Sequence, residues 1–125
     1  MAPWTTDELK KIESAEELEI ASLRADGTLR KPTTIWVVRI GEQIYIRAYK
    51  GRTSPWFRWT QVRHEGRIRA GGVEKDVHFI EETDSTIIDQ VDAAYRDKYR
   101  DQPFEYVRPM LTPEAHAATI RLAPR

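Results

Sequence analysis

Short segments of alternating apolar and polar residues, joined by glycine turns, constrain the fold of this chain most strongly. Thr33 to Ile40 is rich in β-branched residues and predicts a strand, and Gly41-Glu42-Gln43 turns the chain into a second strand over Ile44 to Tyr49. Gly71-Gly72 joins two further alternating segments, 66–70 and 73–82, in a second hairpin. The pattern predicts a mostly antiparallel sheet.

An earlier strand and the helices complete the predicted fold. Leu18 to Arg24 alternates and ends at an Asp26-Gly27 turn, so with the next two strands it predicts an antiparallel meander. Thr5 or Thr6 can cap a first helix, and Ser54 with Pro55 suits the start of a second. Further predictions are a longer helix near 85–99 capped by Ser85, a helical turn opened by Thr112, and a last strand at 119–122. The class is α+β, with about six strands curled into a barrel.

Length and composition limit the number of domains and the kinds of protein that this chain can be. A chain of 125 residues fits a single domain, residues 1–125, and it has no cysteine, which excludes disulfides and thiolate chemistry. No signal-peptide pattern begins at Met1, and no stretch approaches the ~18 apolar residues of a membrane span. We therefore expect a soluble, cytoplasmic protein without a membrane partner.

A basic and aromatic zone follows the predicted strand that ends at Tyr49. Tyr49 to Trp59 holds three cations, a glycine, two hydroxyls and aromatic rings, although the formal net charge of the chain is zero. The zone could hold a small anion, stack single-stranded nucleic acid, or be a solvated basic face beside a helix that packs on the core. The neutral charge makes nucleic acid the unlikelier partner, and a nucleic-acid site would lose affinity steeply with salt.

Known catalytic and metal motifs are missing from the sequence. His64, His78 and His116 lack the spacing of a metal-ligand set, so no metal site is predicted. There is no Gly-x-Ser-x-Gly elbow, Walker loop or dinucleotide fingerprint, and paired acids fall at the ends of predicted elements. The catalytic residues stay unknown, and a bound cofactor would explain their absence.

Several stretches resemble a known family over nearly the whole chain. They are 17–28 (ELEIASLRADGT), 34–39 (TIWVVR), 66–73 (GRIRAGGV), 93–99 (AAYRDKY) and 117–125 (AATIRLAPR). With the order of the elements, they resemble the 2255 family of domains of unknown function, within the flavin-binding split-barrel superfamily. That group includes pyridoxamine phosphate oxidase-like and deazaflavin-dependent nitroreductase-like proteins.

The resemblance implies a cofactor, FMN or a deazaflavin, and a homodimer whose partner completes the cleft. It implies an oxidoreductase acting on a small organic acceptor, with the cofactor phosphate at the basic loop. The implied cofactor-binding residues are Thr34, Trp36, Arg47, Lys50, Gly51, Arg52, Ser54 and Trp56. The order Arg52-Thr53-Ser54 departs from the Ser-Arg/Lys-Lys cluster of the oxidases, and Pro55-Trp56 looks closer to the deazaflavin side.

Two other interpretations remain open from the sequence. Trp56 and Trp59 at helical spacing are more often core anchors than ligand stackers. The same barrel could also be a non-enzymatic module that binds a small anionic metabolite or a protein partner. A slot for a tricyclic ring would separate the enzyme from such a module.

Overall fold

The computed structural model describes residues 3–125, so Met1 and Ala2 and the absence of a signal pattern there lie outside the described residues. Within this range the chain forms seven strands and five α-helices, with two short 3₁₀ helices. The strands are β1 (Glu17–Ser22), β2 (Thr33–Trp36), β3 (Val38–Ile40), β4 (Gln43–Arg47), β5 (Glu65–Ala70), β6 (Val73–Glu81) and β7 (Thr119–Pro124). The α-helices are α1 (Thr6–Ser14), α2 (Pro55–Arg63), α3 (Ser85–Lys98), α4 (Phe104–Val107) and α5 (Pro113–His116), and the 3₁₀ helices are Gly51–Thr53 and Arg108–Leu111.

All neighbouring strands are antiparallel, in the order β2-β1-β5-β6-β7-β4-β3. The two edges of this sheet are consecutive in sequence, because only Val37 separates β2 from β3. The sheet therefore curls into a nearly closed barrel with its opening at Val37. The predicted α+β class and antiparallel barrel are confirmed, and the expected single strand 33–40 is divided between the two edges.

The hydrophobic core forms two clusters. One joins the inward residues of the strands to Leu9 and Ile12 of α1 and to Phe57 of α2. The second lies under α3, where Val91, Tyr95 and neighbouring side chains pack on β3 and β4. Val77 and Phe79 of the second hairpin belong to the first cluster.

Helix α2 enters the core differently from the sequence prediction. Phe57 and Thr60 are its buried residues, whereas Trp56 and Trp59 are only half-buried. Helical spacing alone favours Trp56 and Trp59 as the residues that anchor this helix in the core. Docking through Phe57 and Thr60, which are three residues apart, turns the two indoles to the flanks of the helix.

Two helix caps also differ from expectation. Asp84, rather than Ser85, caps α3, because its carboxylate accepts hydrogen bonds from Thr86 N (2.8 Å) and Ile87 N (3.3 Å). Ser54 stands at the cap position of α2, but its side chain makes no capping hydrogen bond. At α1, the predicted alternative Thr5 is the cap and forms a capping box with Glu8.

Candidate functional site

A cleft of about 590 Å³ opens beside the break between β2 and β3. Strands β2 and β4 form one side, and the start of α2 and the segment from α4 to the second 3₁₀ helix form the others. Its lining residues are Glu17, Thr33, Thr34, Ile35, Trp36, Arg47, Tyr49, Lys50, Ser54, Pro55, Trp56, Glu105, Tyr106, Pro109 and Met110. They include six of the eight residues predicted for cofactor binding: Thr34, Trp36, Arg47, Lys50, Ser54 and Trp56. The volume lies in the range of small-molecule sites.

One end of the cleft carries the features of an anion site. Lys50 is exposed and makes no ion pair with any residue of 3–125. Ser54 and Pro55 begin α2 at the same end, and the amides of Trp56 and Phe57 receive no cap from Ser54. Free amides and the positive end of a nine-residue helix favour negative charge there.

Aromatic rings form much of the remaining wall. Trp36 stacks on Tyr99 with ring centroids 3.9 Å apart and planes 5° from parallel. Trp56 packs edge-on against Phe57, with centroids 6.3 Å apart. At the mouth, Tyr49 is 53% exposed, and the ammonium of Lys50 lies 5.7 Å from its ring centroid. The cleft therefore combines a cation with flat apolar walls.

The end of α3 holds the open edge of the barrel at Val37. Val37 N donates to the hydroxyl of Tyr99 (3.0 Å), and the Val37 carbonyl accepts from Lys98 Nζ (2.7 Å). Partial burial lowers the pKa of Lys98 to about 8, against the opposing attraction of Glu13 and Glu16. These bonds replace the sheet hydrogen bonds that Val37 lacks, and they fix the adjacent Trp36 in the cleft wall.

Arg47 lies at the floor of the cleft, but internal partners take up its guanidinium. Nε donates to Thr119 Oγ1 (2.8 Å), Nη2 to the Ile88 carbonyl (2.9 Å), and Nη1 to the Met110 carbonyl (2.9 Å) and the Asp92 carboxylate. The side chain has no solvent exposure. Arg47 thus ties β4 to α3, β7 and the second 3₁₀ helix, and these hydrogen bonds engage four of its five N–H donors.

Two of the predicted residues, Gly51 and Arg52, do not line the cleft. Arg52 pairs with Glu81, donates to the Ala117 carbonyl (3.1 Å), and lies over the Phe57 ring. Gly51 has a φ of +78°, and a side chain there would come within 3.2 Å of Glu114. That turn and the close approach of α5 are enough to require a glycine at this position.

The sequence prediction missed the residues that α4 and the second 3₁₀ helix bring to the cleft. They are Glu105, Tyr106, Pro109 and Met110, which lie between the predicted helix at 85–99 and the helical turn predicted at Thr112. The sequence signal that could have pointed to this segment is the aromatic pair Phe104 and Tyr106. In the structure these two side chains are 62% and 59% exposed. Glu105 and Glu17 of β1 also line the cleft, so its positive charge is confined to the Lys50 end.

A histidine–carboxylate pair lies behind the floor of the cleft. Nε2 of His116 lies 3.0 Å from both oxygens of Asp92, the carboxylate that also binds Arg47.

Within residues 3–125, no group of three or more His, Asp or Glu side chains is arranged to hold a metal ion. Among the described helices, none is long and apolar enough to cross a membrane.

Residues 8–122, nearly the whole chain, match the family DUF2255, described as an uncharacterized protein conserved in bacteria. The chain belongs to the DUF2255 family. The family resemblance expected from the sequence is therefore confirmed. No curated protein sequence matches this DUF2255 chain.

Solved structures with the same fold cover nearly all of this DUF2255 chain. The heme storage protein HutZ from Vibrio cholerae has a TM-score of 0.66 at 15% identity, covering 93% of this chain and 86% of its own. An F420 reductase has a TM-score of 0.60 at 18% sequence identity, and the match covers 99% of this chain and 96% of the reductase chain. A FAD-binding protein from Mesorhizobium loti has a TM-score of 0.58 at 14% sequence identity, and the match covers 99% of this chain and 92% of the FAD-binding chain. At these identities the likeness shows the fold alone, a split barrel.

Proposed function

We propose that this DUF2255 protein binds a flavin-type cofactor, FMN or a deazaflavin, in the cleft beside Val37. The observation that carries the proposal is the combination of one unpaired cation, Lys50, with flat aromatic walls in a space of about 590 Å³. Such a cofactor has a planar ring system and a phosphate, and the two parts need different surroundings. The cleft offers both kinds of surroundings.

The phosphate end would be held by Lys50, the hydroxyl of Ser54 and the free amides that begin α2. Arg52 and Arg47 have no part in this proposal, because each already has internal partners. The ring system would lie toward Trp36 and Trp56, with Thr34 beside it. Trp36 can bear a ring against its open face, since Tyr99 supports the opposite face.

The activity we propose is that of an oxidoreductase on a small organic acceptor. A bound flavin or deazaflavin supplies hydride transfer, and the residues of the cleft bind, orient and exclude water. The names of two solved relatives, an F420 reductase and a FAD-binding protein, support a cofactor of this class without choosing between them.

A second candidate is a non-enzymatic module that binds a small anionic metabolite. Lys50 and the start of α2 favour it, because they could hold an anion with no ring system attached. One solved structure with this fold is named a heme storage protein, which is not the name of an oxidoreductase. The two candidates differ in whether Trp36 and Trp56 contact a ligand ring.

The test is an absorption spectrum of the purified protein, followed by thermal unfolding with added FMN, deazaflavin or inorganic phosphate. Flavin-type absorption, or a rise in melting temperature with either cofactor well above that with phosphate, supports the proposal. An equal response to phosphate and to the cofactors favours the anion module. A protein without flavin-type absorption whose melting temperature responds to neither cofactor contradicts the flavin proposal.

A further inference from the structure

Arg30, in the connection between β1 and β2, is an arginine without a charged partner. Its side chain makes no ion pair or hydrogen bond with any residue of 3–125, and its Nε is buried. Its guanidinium carbon lies 4.8 Å from the ring centroid of Trp59, and its backbone N donates to the Ser22 carbonyl (2.9 Å). The charge is therefore held in place, while a buried donor remains unsatisfied.

Arg30 lines a groove of about 310 Å³. Ala21 of β1, with Leu29 and Pro32 of the connection, gives it an apolar wall. The volume is at the lower end of the range for small-molecule sites. None of its lining residues lines the cleft beside Val37.

The other charges in the groove are largely matched among themselves. The other charged residues that line the groove are Arg67 and Arg69 of β5, Glu19 of β1 and Glu74 of β6. Glu74 lies 3.3 Å from Arg69 and 3.9 Å from Arg67. Arg67 Nε also donates to Asp76 (2.9 Å). Arg30 is thus the cation of this groove that remains open to an incoming anion.

We propose that this groove binds a small organic monocarboxylate, with the carboxylate on Arg30 and its apolar body against Ala21, Leu29 and Pro32. A guanidinium presents parallel N–H donors that match the two oxygens of a carboxylate. A single negative charge fits best, because the second charge of a phosphate ester would face Glu19 and Glu74. The site is independent of the flavin-type cofactor proposed for the cleft.

The first experiment titrates ¹⁵N-labelled protein with benzoate, benzamide and phenyl phosphate and follows backbone and indole N–H signals by NMR. We expect benzoate to move the signals of Leu29, Arg30 and the Trp59 indole. Benzamide, which has the same ring without the charge, moves them little, and phenyl phosphate binds more weakly than benzoate. Equal shifts with benzamide, or benzoate shifts centred on Lys50 in the cleft, would overturn the proposal.

The second experiment repeats the benzoate titration on Arg30→Gln and on Arg58→Gln, an exposed arginine on the same helix as Trp59. Loss of a charge-assisted pair should raise the Kd about tenfold or more in Arg30→Gln and leave it unchanged in Arg58→Gln. Arg30→Lys keeps the charge without the planar fork, so its Kd for benzoate should lie between those of the other two variants. If Arg30→Gln does not fold, Arg30→Lys takes its place in the comparison. Wild-type affinity in the Arg30 variants would overturn the assignment, whatever the flavin experiment shows.

Discussion

Trp36 and Tyr99 lie face to face, with ring centroids 3.9 Å apart and planes 5° from parallel. Trp36 ends β2 in the wall of the cleft, and Tyr99 ends α3. The Tyr99 hydroxyl accepts from Val37 N (3.0 Å), and the carbonyls of Glu16 (2.7 Å) and Val37 (3.1 Å) lie within reach of its proton. One side chain therefore supports both the cleft wall and the open edge of the barrel.

Tyr99→Phe should keep the stacked ring and lose these hydrogen bonds. The buried amide of Val37 would then have no partner, which costs about 1–3 kcal/mol in the free energy of unfolding. Urea unfolding measures the loss. Tyr106→Phe is the matched control, because Tyr106 is 59% exposed, and we expect its change to stay within about 0.5 kcal/mol. Equal stabilities of the two variants would contradict the role of the Tyr99 hydroxyl.

Lys98 should make stability rise between pH 8 and pH 10.5. Burial lowers its folded-state pKa to about 8 from an ordinary value of 10.5, so in this range the unfolded chain binds more protons than the folded one. Below pH 8 the charge is present in both states and its burial opposes folding; that penalty is relieved as the pH rises. Because the amine is partly open to solvent, we expect an effect on the order of 1 kcal/mol.

The measurement compares wild type with Lys98→Met by urea unfolding at pH 7.5 and pH 9.5. The difference between their free energies of unfolding cancels the groups they share, including Glu13 and Glu16 nearby. We expect wild type to gain stability relative to the variant at the higher pH. A difference that is flat, or that falls, would mean that Lys98 keeps an ordinary pKa in the folded protein.

Arg47→Met should destabilise the fold strongly. The change leaves the Asp92 carboxylate without its arginine and removes the hydrogen bonds that Arg47 donates to the carbonyls of Ile88 and Met110. Breaking a buried pair in this way costs about 3–5 kcal/mol in the free energy of unfolding. Arg96→Met, at an exposed position of α3, should change it by less than about 0.5 kcal/mol. A loss as small as that of the control would show that the Arg47 contacts contribute little.

The sequence predicted the α+β class, the antiparallel barrel and the second hairpin, because alternation and glycine turns are local signals. The sequence could not show that Arg47 donates hydrogen bonds to four internal acceptors, since those residues lie 41 to 72 positions away along the chain. The same limit applies to Arg52, whose partners are Glu81 and Ala117. A basic residue beside a predicted phosphate loop looks the same in sequence whether it faces a ligand or an acid of its own chain.

We expect a homodimer that covers the cleft, whose lining residues Tyr49 and Tyr106 are more than half exposed; Phe104, two residues before Tyr106 in α4, is also exposed. Exposed aromatic rings grouped at one place are typical of interfaces. Light scattering after size exclusion should give about twice the chain mass of 14.6 kDa. Tyr106→Glu should shift the population toward monomer, and Val62→Glu, at another exposed apolar residue, should not. A wild-type monomer at micromolar concentration would contradict the expectation.

Lys50 and Arg52 stand two positions apart in the basic loop, and only Lys50 lines the cleft. Lys50→Gln should therefore weaken binding of FMN or a deazaflavin by about tenfold to a hundredfold, as expected from the loss of a charge-assisted hydrogen bond of about 1.5–3 kcal/mol. Arg52→Gln should change the affinity less than about threefold, because its charge already pairs with Glu81. Fluorescence titration with each cofactor measures both constants, and unchanged melting temperatures of the free proteins show that the folds are equal. A larger loss in Arg52→Gln than in Lys50→Gln would place the phosphate on the other side of the loop and reject the arrangement proposed for the cleft.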